Sequence, residues 1–145
     1  MYAKLLADGS IKAPYYLVDL QRDYPHTSFP STITQAVLDE FGVAVVSETP
    51  PPEVDLATSR ATYTVVRNEG KYQQVWEVTH LPVETASQNV RERRDDKLRA
   101  SDWTQIPDAT VNQTSWASYR QALRDVPQQA GFPFSVVWPN PPTGL

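Results

Sequence analysis

Few residues in this chain have the type and spacing to do chemistry. It holds two histidines, His26 and His80, and no cysteine. Without cysteine, thiol nucleophiles, zinc ribbons, iron–sulfur clusters and disulfide frameworks drop out together. Two histidines leave little for a His-rich metal site or a Ser-His-Asp triad. His80 follows Glu77 by three residues, the spacing of a weak metal pair, and His26 sits in a Tyr-Pro-His-Thr loop that reads as a turn. Asp95 and Asp96 are adjacent between arginines. Neighbours on a helix point about 100° apart, so these two do not form the facing carboxylates that glycoside hydrolysis needs. Arg91, Arg93 and Arg94 suit acidic partners or phosphates, and more simply a solvated helix face. No P-loop, dinucleotide glycine pattern or nucleophile elbow occurs. The sequence therefore offers no catalytic constellation, no cofactor and no metal ligand set, and reads as a non-enzyme.

The aromatic residues are the other resource. There are four tryptophans, Trp76, Trp103, Trp116 and Trp138. Exposed indole faces stack on sugar rings, which raises a carbohydrate-binding reading. Trp76 and Trp116 lie on patterned faces and are expected to be buried. Trp103 and Trp138 stand at segment ends and are the candidates for surface contact, or for packing the tail onto a helix. Asn112-Gln113-Thr114 matches a glycosylation acceptor, which matters only in a eukaryotic secretory pathway.

These residues must be positioned by a modest set of elements. Tyr2 to Leu6 and Ile11 to Ala13 flank Asp8-Gly9, a hairpin turn pair, and Pro14 is expected to stop the second strand. Tyr15 to Leu20 is a short apolar stretch. Thr32 and Gln35 have capping-box spacing, Ile33, Val37 and Phe41 share a helical face, and Gly42 suits a left-handed C-terminal position. Val43 to Val46 then reads as a buried strand. Thr49 to Glu53 is extended polyproline-like chain, most simply a rigid connector, though such runs also serve as SH3 ligands. Arg60 to Thr79 is the clearest hairpin, its Asn68-Glu69-Gly70 suiting a three-residue loop with a bulge. Residues 83 to 100 predict a charged helix entered through Pro82, with an apolar stripe (Val83, Ala86, Val90, Leu98) too thin to be wrapped in a core. Trp116, Tyr119, Leu123 and Val126 predict a helix that Pro127 ends. Phe132 to Pro139 reads as extended, restricted by its prolines to an edge or a groove.

Together these readings give an α+β fold: an N-terminal unit over residues 1–80 of β-hairpins with one helix, an exposed connecting helix over 81–100, and a C-terminal helical lobe with a Pro-rich tail over 101–145. The chain has 145 residues, 40% of them hydrophobic, with 13 prolines and 5 glycines, so it can bury a modest core and favours stiff segments. No apolar run approaches the ~20 residues of a membrane span, and the N-terminus lacks the pattern of a secretion signal. Residues 1–90 carry 6 basic and 11 acidic groups, residues 91–145 carry 7 and 6, and the net charge is −4. That balance argues against bulk binding to nucleic acid or to an anionic membrane.

The C-terminal third resembles the phage tail assembly chaperone domain. The matching residues are Arg94-Asp95 and Leu98, Ser101-Asp102-Trp103-Thr104-Gln105, Pro107-Asp108, Trp116, Tyr119-Arg120-Gln121-Ala122-Leu123-Arg124-Asp125, Gly131-Phe132-Pro133 and Val137-Trp138-Pro139. The N-terminal part looks like the segment often joined to that domain in phage tail proteins. It shows Tyr2-Ala3, Asp8-Gly9, Pro14-Tyr15, Arg22-Asp23, Pro25, Thr27-Ser28-Phe29-Pro30 and Phe41-Gly42-Val43, with Tyr24 and His26 where asparagine is commoner.

The resemblance implies a tail-fibre assembly chaperone, acting in the host cytoplasm, that binds and shields tail-fibre subunits. The partner-binding residues expected on that reading are Trp103, Trp116, Tyr119, Arg120, Leu123, Arg124, Phe132 and Trp138, forming a partly apolar groove. The partner is the tail-fibre protein, with a second copy of the chain or another tail or baseplate protein as further partners, and neither nucleic acid nor membrane. A permanent structural subunit of the fibre or baseplate, retained in the virion, is the alternative. A carbohydrate-binding module using Trp103 and Trp138 is a third reading.

Overall fold

The computed structural model describes residues 1–143. Its elements are β1 (Tyr2–Leu5), β2 (Ile11–Tyr15), α1 (Leu17–Asp23), α2 (Gln35–Glu40), β3 (Val43–Ser47), β4 (Ser59–Asn68), β5 (Lys71–His80), α3 (Val83–Ala100) and α4 (Gln113–Asp125). Short 3-10 turns at Asp102–Gln105 and Val126–Gln128 flank α4. The architecture is α+β, a strand-rich part followed by a helical C-terminal part. Two compact units divide the chain: Met1–Glu53 with Ala61–Val78, and Val54–Arg60 with the residues from Thr79 onward.

The first unit is built on a five-stranded sheet of order β2-β1-β3-β5-β4. β1 pairs antiparallel with β2 and β3, while β3 and β5 run parallel through Val46 opposite Tyr72. Alternation along the strands sends side chains to two separate apolar clusters. Tyr15, Leu20, Leu38 and Val43 form one, with the half-buried Tyr24, Phe29 and Phe41 packed against it. Phe41 meets Tyr24 edge-on at 4.7 Å and Phe29 at 5.2 Å. Ala3, Val46 and Tyr72 form the other, joined by Ile11, Ala13 and Val65.

Three local expectations are corrected here, and one apolar stretch gains its conformation. Pro14 does not stop the second strand, because β2 continues to Tyr15. β2 is an edge strand, where a residue without an N–H is tolerated. The stretch Tyr15 to Leu20 contains the start of α1, whose Asp19 carboxylate accepts the Tyr16 N–H at 3.0 Å and so replaces a missing intrahelical partner. The helix after Thr32 is shorter than its spacing suggested: it begins at Gln35 behind Thr34, and Leu38 is the residue it buries. The loop between β4 and β5 has two residues, Glu69 (φ 49°) and Gly70 (φ 79°), both left-handed. That is the type I′ hairpin turn, which matches the strands' own twist without a bulge. Gly42, at φ 66°, does take the left-handed position after α2.

In the second unit α3 buries Ala86, Ser87 and Val90, and α4 buries Tyr119 and Leu123. The α3 stripe is as narrow as its sequence implies, and two of its three buried residues are small, which suits one-sided packing on a neighbouring helix rather than burial all round. Two expectations change at the C-terminal end. Val126 keeps helical angles (φ −48°, ψ −45°), and Pro127 enters the first turn of a 3-10 segment, where its missing N–H is not needed. Residues 130–134 are not extended but turned, with Phe132 N–H donating to Gln129 C=O at 3.0 Å and Ser135 N–H to Gly131 C=O at 2.7 Å. A Cβ on Gly131 would stand 2.3 Å from the Ser135 carbonyl oxygen, so only glycine fits that turn. Extended chain begins at Val136.

Candidate functional site

The helical lobe of the second unit starts from the end of α3. A helix leaves its last carbonyls without intrahelical partners, and a cation there is doubly favourable. The Ser101 hydroxyl donates to the Lys97 and Leu98 carbonyls at 2.9 Å each. From α4, Arg120 Nη1 donates to the Leu98 carbonyl at 2.6 Å and to Ser101 Oγ at 2.8 Å, and Nη2 pairs with Asp102 at 2.7 Å. The fork of one guanidinium thus closes the C-terminus of α3 and ties α4 to it. At the other end of α4, Asn112 Oδ1 accepts the Ser115 N–H at 3.0 Å as an N-cap. In the sequence Asn112 stands out only as part of a glycosylation triplet.

On this frame Trp103, Trp116 and Tyr119 form an aromatic row. Trp103 and Trp116 are 6.2 Å apart, and Trp116 meets Tyr119 edge-on at 5.6 Å. Trp103 is 52% exposed and Ile106, which closes the same turn, 49%. Ile106 was not among the expected contact residues, although it stands three residues beyond Trp103, the spacing that returns to the same side of a turn. Trp116 is half-buried rather than buried, as is Trp76, whose indole N–H donates to the Thr49 carbonyl at 3.0 Å in the first unit.

The positive residues of α3 are more than a solvated face. Arg93 and Lys97, one turn apart, stand 5.2 and 5.5 Å from the centre of the Trp138 ring, and Arg91 stands 5.1 Å from that of Phe132. Cations over ring faces are attracted by the aromatic quadrupole. Gln129 completes the attachment of the tail: its side-chain amide donates to the Val137 carbonyl at 2.9 Å and accepts the Val137 N–H at 2.8 Å. A pocket of about 240 Å³ opens between Lys97, Ala100, Ser101, Trp116, Tyr119 and Pro141.

Of the eight residues expected to contact a partner, Trp103 and Arg124 are exposed, and Trp116, Phe132 and Trp138 are half-buried. Arg120 keeps only 11% of its side chain exposed, Tyr119 is buried and Leu123 is entirely so. These last three hold the lobe together from within. Asp95 and Asp96, adjacent in sequence, pair separately with Arg94 and Arg99. His80 accepts or donates a hydrogen bond with Ser59 at 3.0 Å and lies 4.5 Å from the Phe134 ring, while His26 is exposed. Among the described residues no three His, Asp or Glu side chains gather as a metal site, and no helix is long and apolar enough to cross a membrane.

The displaced ionisations of the first unit run away from neutrality. Lys4 Nζ donates to Asp23 at 2.9 Å and lies 3.4 Å from the Tyr15 hydroxyl, which itself donates to Asp23 at 2.9 Å. Burial alone would lower the Lys4 pKa, but its hydrogen bonds to Asp23, Tyr15 and Tyr24 outweigh that and raise it. Asp23 is lowered by Lys4 first and Tyr15 second, and Tyr15 is raised by burial and by the Asp23 carboxylate. Each group is locked in its ordinary charge state, whereas acid–base catalysis needs one poised near neutral pH.

Fold and lobe together define a small α+β protein that ends in a helical module with an aromatic face. Residues 87–143, which span that module, match the family described as phage tail assembly chaperone protein. The match agrees with the motifs read from the C-terminal third, and it supports a chaperone role in phage tail assembly. No curated protein and no solved structure matches the chain at a significant level.

Proposed function

We propose that this protein is a non-enzymatic tail-fibre assembly chaperone, which binds fibre subunits in the host cytoplasm and shields them until they assemble. The observation that carries this reading is a coincidence of position. The family match covers the lobe on which Trp103 and Ile106 stand exposed. Unassembled fibre chains expose apolar surface and free strand edges that aggregate, and an aromatic face on a rigid helical frame covers such surface while leaving it releasable. Trp103, Trp116, Arg124, Phe132 and Trp138 supply the contact surface. Tyr119, Arg120 and Leu123 fix the helix that presents it.

Co-expression with the fibre subunit of the same phage tests the proposal. Soluble trimeric fibre is expected with the wild-type chain, and much less with Trp103→Ala, whose half-exposed side chain leaves the buried core intact and whose folding is checked by circular dichroism. Equal yields of fibre with and without this protein would sink the reading. Quantitative mass spectrometry of purified particles separates a departing chaperone, absent when fibre is present, from a structural subunit at a fixed ratio to fibre.

A further inference from the structure

We propose that the pocket between the end of α3 and α4 is a receptor for one acidic side chain, an aspartate or glutamate on an extended segment of the protein partner. This inference rests on the reading of the lobe as a partner-binding module and names what it recognises. At about 240 Å³ the pocket lies below the roughly 300–1,000 Å³ of small-ligand sites, which fits a side chain rather than a metabolite. Its lining supplies donors that lack acceptors. Among the described residues Lys97 has no carboxylate within ion-pair range, whereas its neighbours Arg94 and Arg99 are paired with Asp95 and Asp96. The Trp116 indole N–H is buried with no acceptor among the described residues. A donor left so placed is unfavourable, and an incoming acceptor recovers that cost.

The indole that lines the pocket is held by ring contacts with Trp103 and Tyr119, and its N–H has no hydrogen bond to give up in exchange for a new acceptor. An ammonium and an N–H both donate, and a carboxylate has two acceptor oxygens and the charge to match Lys97. Ala100, Tyr119 and Pro141 give the pocket apolar walls, which strengthen that charge pairing and accommodate the apolar neighbour of an acidic residue. A nucleic-acid phosphate is the weaker candidate, because the chain carries a net charge of −4 and repels a polyanion as a whole.

The test is a titration of the full-length protein with blocked peptides, acetyl-Ala-Leu-Glu-Leu-Ala-amide and its glutamine counterpart, followed by the indole and backbone N–H signals in NMR. The glutamate peptide is expected to shift the Trp116 indole signal downfield with the Ala100 and Ser101 amides, and to bind about fivefold tighter than the glutamine peptide at low salt. Lys97→Gln is expected to abolish that preference and Lys97→Arg to keep most of it. Equal affinity for the two peptides, shifts confined to the other tryptophans, no shift with either peptide at millimolar concentration, or tighter binding of a short thymidine oligonucleotide would each overturn the proposal. Recovery of fibre in co-expression is a separate readout. A wild-type failure there removes the chaperone reading while the peptide titration still decides the pocket. Lys97→Gln supporting fibre as well as wild type does would show that the pocket is not where the partner is held.

Discussion

The two units hold their charged side chains in different ways. In the first, Lys4, Asp23 and Tyr15 bind one another, behind a sheet whose two faces carry separate apolar clusters. In the second, cations engage other groups besides carboxylates: Arg120 a helix carbonyl as well as Asp102, Arg93 a tryptophan ring as well as Asp55, and Arg91 and Lys97 aromatic rings. The first arrangement closes on itself and leaves nothing for an outside group. The second leaves an ammonium without a carboxylate partner and a buried indole N–H without an acceptor among the described residues. The Lys4–Asp23–Tyr15 cluster serves as scaffold, and the binding role proposed above falls to the groups matched with rings and backbone.

Core truncation tests the difference at its largest. Leu20→Ala in the first unit and Leu123→Ala in the second are each expected to cost about 2–5 kcal/mol, since both side chains are fully buried. Urea unfolding of the two variants checks this, and a much smaller loss for Leu123 would mean that the lobe is too loosely packed to present a fixed surface. Next comes Arg120→Met, which removes a charged donor from the Leu98 carbonyl and the Ser101 hydroxyl and its pairing with Asp102, with an expected loss of about 2–3 kcal/mol. Arg120→Lys should recover less than half, because an ammonium lacks the fork. Were lysine to restore full stability, charge alone would be the explanation.

Gln129→Ala is expected to cost about 1–2 kcal/mol, felt locally as faster hydrogen exchange at the Val137 amide with the α4 amides unchanged. The smallest effect is the pH dependence of the first unit, screened by solvent at its partly exposed carboxylate. Folded Asp23 ionises below the ordinary 3.8, so the unfolded chain binds more protons in that window, and stability falls as the pH drops below about 4. Folded Lys4 keeps its proton above the ordinary 10.5, so its contribution is complete below that value and is lost as the pH rises beyond it. Asp23→Asn should flatten the acid limb of a plot of urea midpoint against pH, and an unchanged limb would assign acid sensitivity to other carboxylates.

What could be read in the sequence followed period and turn chemistry. The alternation in β4 and β5, the apolar stripe of α4 and the left-handed Gly42 all declare themselves through spacing that only one local conformation satisfies. Helix α1 escaped because seven residues are too few to show a period, and because its start is fixed by Asp19 reaching back to a backbone N–H. The turn at residues 130–134 escaped because proline at position 133 biases a local reading toward extended chain, while the geometry is dictated by the close approach of Gly131 and Ser135. In the candidate site the exposed Trp103 and half-buried Trp138 were visible as aromatics at segment ends. The role of Arg120 was not, because a residue that caps another helix has partners that lie roughly twenty positions away and leave no local pattern.

The clasp of Gln129 on Val137 has a consequence of register. One side-chain amide engages both the N–H and the C=O of a single residue, so it counts chain positions as a strand partner would. In extended chain successive side chains point to opposite sides, and here Val137 faces out, 76% exposed, while Trp138 turns in toward Arg93 and Lys97. Inserting one residue between the turn and the clasp would therefore do more than shift the tail by one step. It would present the indole outward and a valine to the two cations, exchanging the inner and outer surfaces of the tail while leaving its composition almost unaltered.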